Sequence, residues 1–206
     1  MSAERLIHSG LDVEFWAGRV PPVEAVRPAR CSGCGAASQC PGQPLTVVGH
    51  GLRERQQRGP GQVGAEPAEV TLWQRRYRCR SCRAVMVVAP AQVLRYRLFS
   101  AVAIVWALSL FGTDGWSPKR VRAQVSPWRV VGATAARSWQ TLRDWVEAAR
   151  AGRLLPLRGL AGDRPRQLAL AAVAVLRALA LPRHRQESEA QQAVSGALQL
   201  LMGIAR

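Results

Sequence analysis

Apolar residues fall in short β-type runs between residues 45 and 88, then recur at helical spacing from about residue 98 onward. Leu45-Thr46-Val47-Val48 reads as a strand that turns through Gly49-His50-Gly51 into the basic run Leu52-Arg53-Glu54-Arg55-Gln56-Gln57-Arg58. Gly59 to Pro67 is a Gly/Pro-rich loop. A second strand, Glu69 to Arg78, runs directly into Cys79. Its period of two puts Val70, Leu72, Gln74, Arg76 and Arg78 on one side and Thr71, Trp73, Arg75 and Tyr77 on the other. Ala84 to Val88 makes a third strand. Residues 1–30 read as a lead-in, because Val20-Pro21-Pro22 and Arg27-Pro28 break any helix before Cys31.

Past Pro90 the pattern is helical. Leu98 to Phe111 predicts a first helix, ended by Gly112. Ser117-Pro118 offers a Ser N-cap with Pro at the first helical position, and Ser126-Pro127 repeats that signal, so only a short helix, roughly Pro118 to Gln124, fits between them. Beyond it Val131, Ala135, Trp139, Leu142 and Val146 form one apolar face. Three helices with a short middle one outline a helix-turn-helix module. Its reading helix has two registers: one begins at Pro127 and offers Arg129, Thr134 and Arg137, the other runs from Arg137 to Ala149 and offers Arg137, Gln140, Thr141 and Asp144. The same polar residues would also serve as the wet face of a helix that only packs. From Leu154 a helical hairpin is expected, with Asp163 as N-cap of a helix to Leu181 and a last helix from about Gln186 to Ile204 carrying the stripe Ala190, Val194, Leu198 and Leu201.

Four of the five cysteines form two Cys-x-x-Cys pairs, Cys31-Ser32-Gly33-Cys34 and Cys79-Arg80-Ser81-Cys82. A two-residue gap lets both sulfurs converge on one metal, and Zn²⁺ takes four such N or S ligands. Closing the base of a long β-hairpin in this way makes a zinc ribbon. A thioredoxin-like redox pair would need a βαβ context that neither motif has, and disulfides are uncommon in a reduced interior. Cys40 is left over as an incidental thiol, and His50 is an alternative to one thiolate. The expected architecture is thus α+β: a small three-stranded zinc ribbon over 31–92, a mostly helical helix-turn-helix module over 95–150 and a C-terminal helical hairpin over 154–206.

Charge then narrows the partner. The 206 residues hold 29 Lys and Arg against 13 Asp and Glu, a net +16, and Lys119 is the sole lysine. Arginine suits bidentate contacts to phosphate and guanine, so a polyanion, and double-stranded DNA in particular, is the expected partner. Between Gly49 and Arg83 eight arginines face three glutamates. The candidate DNA contacts are Arg53, Arg55, Arg75, Arg76 and Arg78 on the ribbon, Lys119, Arg120 and Arg122 on the middle helix, and Arg129, Arg137, Gln140 and Arg143 beyond it. The longest apolar run, Leu98 to Gly112, has fifteen residues, short of a membrane span. With no apolar secretory region near Glu4, a cytoplasmic location without membrane partners is expected.

Knuckle, basic hairpin, second knuckle and three-helix module in this order resemble the N-terminal DNA-binding half of bacterial insertion-sequence transposases. The matching stretches are Cys31 to Gly35, Gly49 to Arg55, Arg75 to Cys82 and Ser117 to Arg150, within residues 31 to 150. The resemblance implies structural zinc on the four cysteines and binding of an element's terminal repeats. Such transposases continue into an RNase H-like domain with three metal-binding acids, whereas the 56 residues after Arg150 hold only Asp163, Glu187 and Glu189. No Ser-His-Asp or phosphate-loop pattern stands in for it. The chain therefore reads as non-catalytic, with a separate catalytic transposase subunit and a second copy of itself as candidate protein partners. A zinc-ribbon/helix-turn-helix transcriptional regulator and a zinc-stabilised interaction module are the alternatives.

Overall fold

The structure, a computed structural model, describes residues 5–10, 13–16, 19–128 and 139–203. The fold is α+β, and its backbone divides into two compact units, one built from 1–57 with 70–95 and the other from 58–69 with 96–206.

The first unit is organised by a four-stranded mixed sheet. Its strands are β1 (Arg5–Ser9), β2 (Val47–Gly59), β3 (Ala68–Cys79) and β4 (Val85–Pro90), in the order β1-β4-β3-β2. β2 and β3 are the long hairpin, and β3 pairs antiparallel with β4 from Arg75 opposite Val88 to Arg78 opposite Val85. The fourth strand corrects the three-stranded ribbon read from the sequence. β1 comes from the segment taken as a lead-in and pairs in parallel with β4, Leu6 opposite Val87 and Ile7 opposite Val88. Five residues paired with a strand some eighty positions away leave no local signature, because parallel neighbours share no turn.

The rest of the N-terminal segment is also structural. The short helix α1 (Val13–Trp16) places Trp16 in the core at 1% exposure, beside Val26, Val47, Leu72, Tyr77, Met86 and Val88. The loop 21–27 lies along β3: Tyr77 donates its hydroxyl to Val23 O (2.6 Å), and Arg75 Nε donates to Pro21 O (2.7 Å). This cover explains why both sides of β3 are buried toward its Cys79 end. Leu72 and Gln74 are buried from one side and Tyr77 from the other, while Trp73 stays exposed.

In the second unit α2 (Ala101–Gly112) is the hub. Every residue from Ala101 to Leu110 is buried, as an all-round apolar helix requires, and Ser100 caps it by accepting from Ala103 N (3.0 Å). α3 (Pro118–Val125) and α4 (Gln140–Arg150) both pack on α2, as do α5 (Pro165–Ala178) and α6 (Glu189–Leu201). α3 starts as the sequence predicts, with Ser117 accepting from Arg120 N (3.4 Å) and Pro118 at its first turn. The Ser126 backbone N–H closes α3 by donating to Arg122 O (2.9 Å), and its Oγ accepts from Trp128 N (3.4 Å); the helix expected from Pro127 would run into 129–138, outside the described residues. α4 buries Leu142, Trp145 and Val146, and Trp145 meets Trp139 and Phe99 edge-on at 5.0 Å. The turn that a helix-turn-helix needs, 129–138, lies outside the described residues, and with it Arg129, Thr134 and Arg137.

α5 begins one residue later than expected, capped at Arg164 rather than Asp163, with Gln167 Oε1 accepting from both backbone amides at 3.3 Å. α6 has a capping box formed by Ser188 and Gln191. Its buried face is not the predicted leucine stripe. Ala193, Gly196 and Ala197 are buried, while Ala190, Val194, Leu198 and Leu201 are only half-buried. Small residues win because α5 approaches so closely that a Cβ on Gly196 would overlap the Leu176 carbonyl. Gly196→Ala therefore sets a helix-propensity gain of about 1 kcal/mol against an overpacking cost of about 3 kcal/mol. A net loss of about 2 kcal/mol is expected in guanidinium unfolding followed by far-UV circular dichroism. An unchanged or raised midpoint would show that the helix pair has room to part.

Candidate metal centre

The two knuckles are built alike, each by its own backbone. In the first, Gly35 N donates to Cys31 O (2.8 Å) and Cys31 N donates to Ala36 O (2.8 Å). The second repeats both bonds one for one, Arg83 N to Cys79 O and Cys79 N to Ala84 O, each at 3.0 Å. In both, the residue after the second cysteine lets the chain fold back with positive φ, Gly35 at 75° and Arg83 at 64°. The sequence supplies glycine for only one of these turns, so Arg83 carries the strain of a left-handed non-glycine residue.

These turns aim all four sulfurs at one point. The Sγ atoms of Cys31, Cys34, Cys79 and Cys82 all lie within 4.8 Å of one another, with Cys31 to Cys82 at 3.6 Å and Cys34 to Cys79 at 3.8 Å. A tetrahedral ion with 2.3 Å bonds to sulfur needs sulfurs about 3.8 Å apart, far longer than a disulfide. All four cysteines are free thiols here. Cys31 and Cys79 are buried while Cys34 and Cys82 face solvent, so the inner pair is tied to the sheet core and the outer pair closes the site. Gly33 is required by this closeness: a Cβ there would stand 2.9 Å from Ala84 Cβ and 3.1 Å from Cys82 Sγ.

The surroundings of the two thiols of the second knuckle set them apart. Burial pushes the Cys79 thiol up, but the Cys82 and Ser81 backbone amides and the Cys31 and Cys82 thiols outweigh it and bring it down to about 6. For Cys82 the Ala84 amide pulls down, while desolvation and the three neighbouring thiols hold it up at about 11. A thiolate is thus favoured at Cys79 and opposed at Cys82. A cation at the centre would stabilise every thiolate around it, which is the electrostatic reason the cluster fits a metal ion. Among the described residues this is the cluster of His, Cys, Asp or Glu that fits a metal ion, and neither Cys40 nor His50 belongs to it.

The structure separates the candidate DNA contacts into two kinds. Arg55 is half-buried and donates to Leu94 O (2.6 Å); burial first, and then the neighbouring Arg53 charge, lowers its pKa. Arg75 is likewise engaged with Pro21, so both arginines hold the fold. Arg76 and Arg78 are half-buried on β3, and Arg53 is exposed on β2. On the helical unit Lys119 and Arg120 are exposed on α3, and Gln140 and Arg143 on α4. Arg120 lies over the Trp116 ring at 3.6 Å, and Gln140 donates to Asp144 (2.9 Å). Arg122 is half-buried, its Nε making no hydrogen bond. Sequence reasoning passed over Arg58 and Trp128, which stack 3.8 Å apart although seventy positions separate them. No helix among the described residues is long and apolar enough to cross a membrane. No protein-family model, curated protein or solved structure matches the chain.

Proposed function

We propose that the chain is a zinc-stabilised, non-catalytic DNA-binding protein of a mobile genetic element, acting on element-end DNA beside a separate catalytic transposase. The observation that carries the zinc is the four-sulfur cluster, whose donor set and spacing suit Zn²⁺ held by Cys31, Cys34, Cys79 and Cys82. There it would supply structure, neutralising the thiolates and locking both knuckles to the hairpin. DNA as the partner is supported by the +16 charge and by exposed cations on both units, Arg53 on one and Lys119, Arg120 and Arg143 on the other. The link to a mobile element rests on the order of knuckle, basic hairpin, knuckle and helices.

Absence of catalysis is part of this reading. Among the described residues no three carboxylates gather to share metal ions: Asp114 follows α2, Asp144 lies on α4 and Asp163 precedes α5. The purified protein is expected to retain a DNA fragment from its element's ends in a mobility-shift assay, and neither to nick nor to join it with Mg²⁺ or Mn²⁺. Strand cleavage that needs either metal and disappears on mutating Asp114, Asp144 or Asp163 would overturn the reading.

A further inference from the structure

The loop at the end of the β2–β3 hairpin and helix α3 enclose a groove of about 860 Å³ within the helical unit. Gly64 and Glu66 line it from the hairpin loop, Lys119, Arg122 and Gln124 from α3, and Trp128 from the segment just after α3. The stem of that hairpin loop is held against the start of α2. Arg58 N donates to Leu98 O (2.8 Å) and Ser100 N to Arg58 O (3.0 Å), and Gly59 lies so close to Ala103 that no Cβ would fit between them. Ser100 Oγ also donates to Pro60 O (3.3 Å).

Trp128 has a settled orientation and an open surface. The Arg58 guanidinium sits 3.8 Å over its ring and is itself ion-paired with Glu69 at 2.8 Å, yet Trp128 remains 53% exposed. Holding a large aromatic ring half in water gives up hydrophobic stabilisation, and the Arg58 stack removes the rotamer freedom that a stacking partner would otherwise have to freeze. Lys119 and Arg122 stand one helical turn apart on α3, and Arg122 Nε is buried with no hydrogen-bond acceptor. A fixed aromatic face beside two cations matches the parts of one nucleotide, base and phosphate.

From this geometry we infer that the groove takes an unpaired nucleotide of single-stranded DNA, its base stacked on Trp128 and its phosphates on Lys119 and Arg122. An intact duplex cannot use the indole, because its base faces are already stacked on one another. A frayed end or an overhang can. Glu66 and Gln124 would offer an acceptor and an amide to the edge of that base. The inference rests on the DNA-binding reading and adds strand state to it.

The test uses the full zinc-loaded chain and fluorescence anisotropy with three labelled probes: a blunt duplex, the same duplex with a four-thymidine overhang, and the thymidine single strand. The overhang is expected to bind about fivefold or more tighter than the blunt duplex. Trp128→Ala should bring the overhang probe down to the blunt level, while Trp128→Phe, which keeps a ring, should retain part of the preference. Arg122→Gln should weaken binding of the overhang and the single strand. Equal affinity for blunt and overhang probes, or a preference that survives Trp128→Ala, overturns the groove assignment and leaves DNA binding standing. Failure to bind any probe overturns both.

Discussion

Stripping the metal, or replacing Cys79 with serine, is expected to unfold the sheet unit while the helices of 96–206 remain. Structural zinc contributes about 10 to 16 kcal/mol in small domains, as much as the whole net stability of an ordinary fold. The sheet unit would depend on zinc because its core is small and contains the site: Cys31 and Cys79 are themselves core residues, packed among Val47, Tyr77, Ala84 and Met86. Cys79 also ends β3 and starts the turn into β4, so a protonated or substituted side chain there loosens both. One zinc per chain should be found by elemental analysis of protein purified without chelator. Addition of a chelator should expose residues 19–57 and 70–95 to protease and remove their strand signal in circular dichroism. Cys40→Ser, outside the cluster, should leave both unchanged. Zinc-free protein with an intact sheet, or a Cys79→Ser variant as protease-resistant as the parent, would refute the assignment.

Local chemistry explains what the sequence disclosed about this fold. The two Cys-x-x-Cys pairs specify their site because each knuckle is made by bonds inside six residues, and the Ser117-Pro118 cap likewise acts within one turn of α3. What was hidden depends on distant partners. Arg5 to Ser9 becomes a strand only because β4 offers a free edge, and Pro21 to Val26 folds over β3 only because Arg75 and Tyr77 provide donors for its carbonyls. Those two bonds also alter the reading of the basic hairpin. Arginine counted as charge toward DNA, yet at Arg55 and Arg75 it serves as a long donor to backbone carbonyls, a role that composition cannot distinguish. In α6, periodicity found the larger apolar side chains, whereas burial followed the glycine that let two helices touch.

DNA affinity is expected to fall about a thousandfold between 50 mM and 200 mM salt. If about six phosphates are contacted, log K should decline against log[salt] with a slope near −5, and a fourfold rise in salt then costs about three powers of ten. Exposure decides which cations carry that slope. Lys119→Ala and Arg143→Ala, at exposed positions on α3 and α4, should each weaken all DNA sequences alike and reduce the slope by about 1. Arg75→Ala should weaken binding by another route, since it deletes the bond to Pro21 O and loosens the cover of β3; its loss of affinity should come with a lower unfolding midpoint. Arg137→Ala, outside the described residues, should relax preference at a single base pair without changing the slope for other sequences. Isotherms flat between low and moderate salt would remove the electrostatic argument for DNA. A full slope retained in the Lys119→Ala, Arg143→Ala double variant would instead move the phosphate contacts off α3 and α4, leaving Arg53 and the half-buried Arg76 and Arg78 of the hairpin to supply them.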